Sequence, residues 1–139
     1  MGDGLIISTP TGSTAYNMAA GGSIVQSNAP LICLTPLAPH SLSFRPLILP
    51  ESSKITIRKA KDNRTPAWIS LDGATRFELI DGESLTVQTS SHRMAFVTDP
   101  HENLNELWSN RLRSLLNWNV RPYMKPLKKG KAGLNDSPI

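Results

Sequence analysis

From Leu31 to Val97 the chain runs in stretches of four to seven residues rich in Ile, Leu, Val, Thr and Phe, each cut short by Pro, Asn, Asp or Gly. Segments of this length and composition make strands. Parallel neighbours in a sheet need a crossover of roughly a dozen or more residues, usually a helix, and the intervals here leave no room for one. The pattern therefore predicts a mainly β, β-sandwich-like domain rather than a doubly wound parallel sheet. Lys54-Ile55-Thr56-Ile57-Arg58 alternates polar and apolar side chains and reads as a strand with one solvated face. Ala67–Leu71 follows, and Arg76–Leu79 is read as pairing with Ser84–Thr89 across Asp81-Gly82, a strong hairpin signal.

Two helices frame this β region. Leu5-Ile6-Ile7-Ser8 reads as a short buried strand, and Thr9-Pro10-Thr11-Gly12 as a turn into a short helical run, Thr14–Ala20. Ser13 is its N-cap candidate, and Gly21-Gly22 supplies the left-handed stop. Near the other end, Asp99-Pro100-His101-Glu102 announces a second helix, with Asp99 as N-cap, Pro100 at the first helical position and Glu102 placed to reach back to the cap. Leu104, Leu107, Trp108, Leu112, Leu115 and Leu116 then share one face, which requires an apolar surface to pack on. Glu102 and Glu106 sit early and Arg111 and Arg113 late, complementing the helix dipole. No internal repeat is present. The domain is expected to span residues 1–121, with 122–139 a basic, unstructured tail.

Charge separates these two parts. The net charge is +4, but five of the fifteen basic residues (Arg121, Lys125, Lys128, Lys129 and Lys131) lie in the tail. The other ten balance the ten acidic residues of positions 1–120, so the folded part is neutral. That distribution favours a solvated tail and argues against nucleic acid or a membrane as partner. No run of 18 apolar residues and no secretory leader is present, so an intracellular protein is expected, cytoplasmic in preference to mitochondrial. The single cysteine, Cys33, lies in the apolar run Leu31–Leu34 and reads as a buried thiol, which leaves neither a disulfide framework nor a thiolate metal cluster.

Ser8–Ser13 places four hydroxyls and a glycine in six positions just ahead of a helix start. Small side chains there let a ligand approach while the first backbone amides point outward, an arrangement that suits a nucleotide. A plain polar turn with a capped helix fits the same residue types. The segment is not a phosphate loop of the Gly-Lys-Ser/Thr type, since no lysine precedes Lys54. His40 follows Pro39 and reads as structural rather than as a base, and His92 and His101 have no partners at metal-ligand spacing.

The whole run Gly2-Asp3-Gly4-Leu5-Ile6-Ile7-Ser8-Thr9-Pro10-Thr11-Gly12-Ser13-Thr14-Ala15-Tyr16 resembles the signature of the NAD kinase family. The resemblance extends through Pro36–Pro46 and Ala67–Gly73 to Trp118–Arg121, which is similar to the eukaryotic branch of the family. It implies the C-terminal, β-rich, dinucleotide-binding domain of a kinase that phosphorylates the adenosine 2′-hydroxyl of NAD with ATP, with a divalent cation such as magnesium on the phosphates. It also implies a homo-oligomer. The family's catalytic aspartate lies in a Gly-Gly-Asp-Gly motif of an N-terminal α/β domain, which this sequence lacks. Gly2-Asp3-Gly4 belongs to the later motif. The chain is thus expected to supply NAD binding and subunit contacts without the base, and to meet ATP through the other domain. The alternative is a stand-alone, non-catalytic dinucleotide-binding module that modulates a complete kinase.

By the same resemblance, Thr14, Ala15 and Tyr16 are NAD contacts, with Asn17 and Ala19 continuing the stretch and Met18 equally readable as core. Asp3 matches a carboxylate at the nicotinamide end, Ala38 a contact in a double-proline turn, and Asp72 a position near the dinucleotide. On their own residue types Asp3 also reads as a strand-edge carboxylate, Ala38 as a turn residue and Asp72 as part of a hairpin turn.

Overall fold

The computed structural model describes residues 2–61, 63, 65–95, 97–99, 101 and 103–117. The chain divides into two compact units, residues 1–98 and 99–139. The expected boundary between domain and tail, at 121/122, lies outside the described residues, as does Trp118–Arg121.

Among its described residues the first unit holds seven short strands: β1 (Gly4–Ser8), β2 (Leu31–Leu37), β3 (Leu47–Pro50), β4 (Ile55–Arg58), β5 (Ala67–Leu71), β6 (Thr75–Leu79) and β7 (Ser84–Val87). A 3-10 turn, Thr11–Thr14, and a single-turn helix, α1 (Tyr16–Ala19), lie between β1 and β2. All pairings are antiparallel, in three separate sheets of order β1-β2-β3, β4-β7 and β5-β6. The mainly β class with a short helix after the first strand and a helix near the C-terminus is as the sequence predicts.

β2 is the central strand of the largest sheet and carries most of the described residues that are buried: Ile32, Cys33, Thr35 and Pro36. Proline is rare in such a place because it cannot donate to the ladder. Here the Leu37 carbonyl faces β1, where it accepts from the Asp3 N–H at 2.9 Å, so the alternate residue Pro36 turns its nitrogen to the opposite side. On that side β3 has already ended, at the Leu34–Leu47 pair, and no hydrogen bond is lost.

The alternation read in residues 54–58 is observed. Ile55 and Ile57 are half-buried and oppose Val87 and Leu85, while Thr56 and Thr86 are exposed. β5 and β6 form a hairpin whose turn holds Asp72 at φ 48° and Gly73 at φ 74°, and Trp68 carries the Arg76 guanidinium 5.9 Å above its ring.

The hairpin expected across Asp81-Gly82 does not form. The turn itself is present, closed by the Glu83 N–H to the Ile80 carbonyl at 3.0 Å, but it passes the chain from the β5-β6 sheet to the β4-β7 sheet. An Asp-Gly pair encodes the reversal, not the partner. β7 is drawn to β4 by the Ile-Leu-Val pairs above and by a 2.7 Å ion pair from Lys59 to Asp81, whose lysine side chain is only 10% exposed.

In the second unit the helix α2 spans Leu104–Leu116 and is capped by Asn103, whose side chain accepts from the Asn105 N–H. The expected start at Asp99 is therefore four residues early. Asp99 instead accepts from the His101 N–H at 2.9 Å, a local Asx turn that competes with capping; Pro100 and Glu102 lie outside the described residues. The last helical residue is followed by Asn117 in the left-handed conformation, φ 50°. No residue of α2 is buried: Leu107, Trp108, Leu112 and Leu116 are half-covered, while Leu104 and Leu115 are exposed. The apolar stripe read from the sequence exists, but no described residue of this unit closes over it.

Candidate functional site

The antiparallel pairing of β1 and β2 brings the start of one strand to the end of the other. Gly4 opposes Leu37, and the Asp3 N–H donates to the Leu37 carbonyl at 2.9 Å, so Asp3 and Ala38, 35 positions apart in sequence, flank the same end of the ladder. Gly2 completes the corner, since a Cβ there would lie 3.0 Å from the Leu37 carbonyl oxygen and 3.2 Å from Pro39 Cα. Ala38 itself is held at φ 42°, a region that costs a non-glycine residue energy and is retained where the surroundings over-determine it. Asp3 and Ala38 are both exposed.

Beyond Ser8 the chain turns through Thr9 and Thr11, whose hydroxyls bond each other at 2.9 Å, into the 3-10 turn and then α1, which packs against β1. Ser13 does not cap a helix. Its hydroxyl donates to the Val25 carbonyl at 3.2 Å and accepts from the Val25 N–H at 3.0 Å, and the residue is fully buried. The expected seven-residue run Thr14–Ala20 is instead a 3-10 turn, a break at Ala15 (φ −92°, ψ −137°) and one turn of α-helix. A helix this short has too few aligned peptides to create an anion site at its end, so the helix-terminus argument for a nucleotide does not carry over.

Asn17 is the anchor of the segment. Its side-chain amide donates to the Ser13 carbonyl at 3.0 Å and to the Ser23 carbonyl at 3.1 Å, while its oxygen accepts from the Thr35 hydroxyl at 2.6 Å. Asn17 and Thr35 are each 1% exposed. Buried polar groups are stable when all are satisfied, and here the asparagine's donors and acceptor are all engaged.

Of the eight residues singled out in the sequence, Asp3, Thr14, Ala15, Tyr16, Ala19, Ala38 and Asp72 are exposed and only Asn17 is buried. Tyr16 is 64% exposed, a large aromatic held out on the surface. Asp3 and Ala38 share a corner, and Thr14–Ala19 are tied to the same strand pair through Thr35, which opposes Ile6. Asp72 stands on the separate β5-β6 hairpin, where its left-handed conformation is that of a turn residue. The sequence reading missed the roles of Ser13, Gly22 and Thr35 in holding the segment. A polar threonine inside the apolar run Leu31–Leu37 was the signal that could have exposed it.

Residues 1–99 match the family described as the ATP-NAD kinase C-terminal domain. The chain belongs to that family. It is 46% identical over 126 residues to the Arabidopsis thaliana protein named NAD kinase 2, chloroplastic, covering 91% of this chain and 13% of that protein. It is 45% identical over 124 residues to the Saccharomyces cerevisiae NAD(+) kinase, covering 88% of this chain and 22% of that protein. The crystal structure of yeast NADH kinase complexed with NADH superposes with a TM-score of 0.72 at 36% identity, over 89% of this chain and 38% of that one. The chain thus spans less than a quarter of the two curated relatives' length. In this NAD kinase domain the signature Gly2–Tyr16 maps onto β1, the 3-10 turn and the first residue of α1, and the Pro36–Pro46 stretch onto the end of β2 and the Ala38 corner.

Two further groups complete the chemistry of the region. Burial pushes the Cys33 thiol above its ordinary pKa, offset in part by the hydroxyl of Ser8 directly across the ladder, so the thiol is a neutral core group. Among the described residues no three His, Cys, Asp or Glu side chains converge to hold a metal ion.

Proposed function

We propose that this chain is the dinucleotide-binding part of an NAD kinase, in which ATP phosphorylates the adenosine 2′-hydroxyl of NAD to give NADP. The observation that carries the reading is the set of signature residues displayed on the surface around one strand pair, with Asp3 and Ala38 at its corner and Thr14, Ala15, Tyr16 and Ala19 on the segment above it. Membership of the family and the likeness to a kinase solved with a dinucleotide support it. Tyr16 offers a flat apolar face to an aromatic or ribose ring, Ala15 and Ala19 leave room for backbone approach, and Asp3 accepts hydrogen bonds from a carboxamide or a ribose hydroxyl.

The transfer forms a bond between the 2′-oxygen and the γ-phosphorus, breaks the bond to the ADP oxygen, and sends the hydroxyl proton to a carboxylate. No Gly-Gly-Asp-Gly motif occurs in the sequence, so the base belongs to another domain, as do the ATP site and the cation that accompanies it. The described residues do not fit a metal site, and the role left to them is to bind and orient NAD and to contact neighbouring subunits of a homo-oligomer.

Incubating the purified chain with ATP, magnesium and NAD tests this directly. Saturable NAD binding without NADP formation is the expected result. ATP-dependent NADP production by the chain alone would overturn the assignment of the base, and an absence of NAD binding would overturn the site.

A further inference from the structure

Resting on that reading of the surface segment, we propose that Thr35 and Asn17 form a positioning lock that sets the conformation of the dinucleotide-contacting residues without touching the ligand. Asn17 lies in the middle of the segment, yet its amide protons are spent on the Ser13 and Ser23 carbonyls and its oxygen on Thr35. One side chain therefore ties together the residue before the segment, the residue after it and the strand beneath it. Ser13 repeats the tie with two bonds to the Val25 backbone, at 3.0 and 3.2 Å. The Gly22 N–H donates to the Asn17 carbonyl at 2.8 Å, and its backbone packs so closely on the asparagine that a Cβ would sit 2.3 Å from the amide oxygen.

The exposed residues Thr14, Ala15, Tyr16 and Ala19 ride on this closed loop. Their backbone contains one turn of α-helix and a break at Ala15, which is too little regular structure to fix itself, since helix nucleation is unfavourable over so few residues. The buried hydrogen bonds supply the missing rigidity. Thr35 is the one member of the lock outside the loop, the point through which β2 holds the segment in place.

The test compares Thr35→Val, which keeps the shape but removes the donor to Asn17, with Thr35→Ser, which restores it. NAD is titrated into the full chain by calorimetry, and amide hydrogen exchange is followed at Gly22 and Val25. Thr35→Val is expected to weaken NAD binding about tenfold or more and to speed exchange at both amides, while Thr35→Ser stays within about twofold of the parent. Should Thr35→Val fold poorly, Ser13→Ala cuts the second tie and is expected to give the same loss of NAD affinity with faster exchange at Val25. NAD affinity unchanged in both Thr35→Val and Ser13→Ala overturns the lock and leaves the site standing. A loss in Thr35→Ser with none in Thr35→Val assigns the effect to methyl packing and also overturns it. A parent chain that binds no NAD overturns the site reading itself and the lock with it.

Discussion

Asp3 donates its backbone N–H to the Leu37 carbonyl at 2.9 Å, one residue beyond the last rung of the β1-β2 ladder. That bond fixes the main chain of Asp3 next to the strained Ala38, and the side chain is exposed with no hydrogen bond to a described residue. Asp3→Ala is therefore expected to leave the melting temperature within a degree or two of the parent and to weaken NAD binding by about tenfold, the worth of a charge-assisted hydrogen bond. Calorimetric titration with NAD and a thermal melt of the same sample check it. A lowered melting temperature with unchanged affinity would make Asp3 a structural strand-edge residue.

Tyr16 is 64% exposed at the first position of α1. Removing it costs the fold little, because little of its surface is buried to begin with. Tyr16→Ala is expected to reduce NAD affinity by about tenfold through loss of a stacking face, and Tyr16→Phe to recover most of it. Equal affinities for the parent and Tyr16→Ala would remove Tyr16 from the site.

Gly22 is required by packing, not by an unusual backbone angle. A Cβ at this position would meet the Asn17 amide at 2.3–2.6 Å, and Asn17 cannot move without releasing hydrogen bonds to Thr35, Ser13 and Ser23. Gly22→Ala is expected to destabilise the chain by about 2–3 kcal/mol, the scale of overpacking in a close-packed interior. Chemical denaturation measures it, and a change below about 0.5 kcal/mol would show that the asparagine has room to shift.

Cys33 gives a pH signature. Its folded pKa is raised by burial, so the folded state keeps the thiol proton at pH values where the unfolded chain releases it. The contribution is complete below the unfolded pKa, about 8.5, and is lost as pH rises towards the folded one. Stability measured by urea denaturation is thus expected to fall across the alkaline range above about pH 8.5. Cys33→Ala should flatten that slope, and alkylation of the native chain at neutral pH should be slow. Rapid alkylation without unfolding would contradict the burial.

Trp108 lies on a helix none of whose residues is buried, and is itself only half-covered. Trp108→Ala is expected to cost about 1 kcal/mol in this chain, well below the roughly 3–5 kcal/mol of a core aromatic. A loss of the larger size in a thermal or chemical melt would show that the stripe of α2 is packed.

What the sequence determined was local and chemical. Short β-branched runs divided by turn residues dictated antiparallel strands from Leu31 to Val97, because no interval there could hold a crossover helix; the alternation at residues 54–58 set which side of β4 faces inward; and the run Gly2–Tyr16 carried the family. The tertiary structure decided which strand met which and which side chain turned inward. Asp81-Gly82 specified a reversal equally well for a hairpin or a passage between sheets, and only the pairing of Ile55 and Ile57 with Val87 and Leu85, with Lys59 on Asp81, chose the second. Asp99, the cap read from the sequence, is engaged in an Asx turn to His101, and Asn103 caps the helix instead. Asn17 sits in the stretch Thr14–Ala20, whose other residues are exposed or half-buried, and nothing in the linear pattern marks it as the buried one. Its burial follows from Thr35, eighteen residues away, because the worth of a buried amide depends on partners that only folding brings within reach.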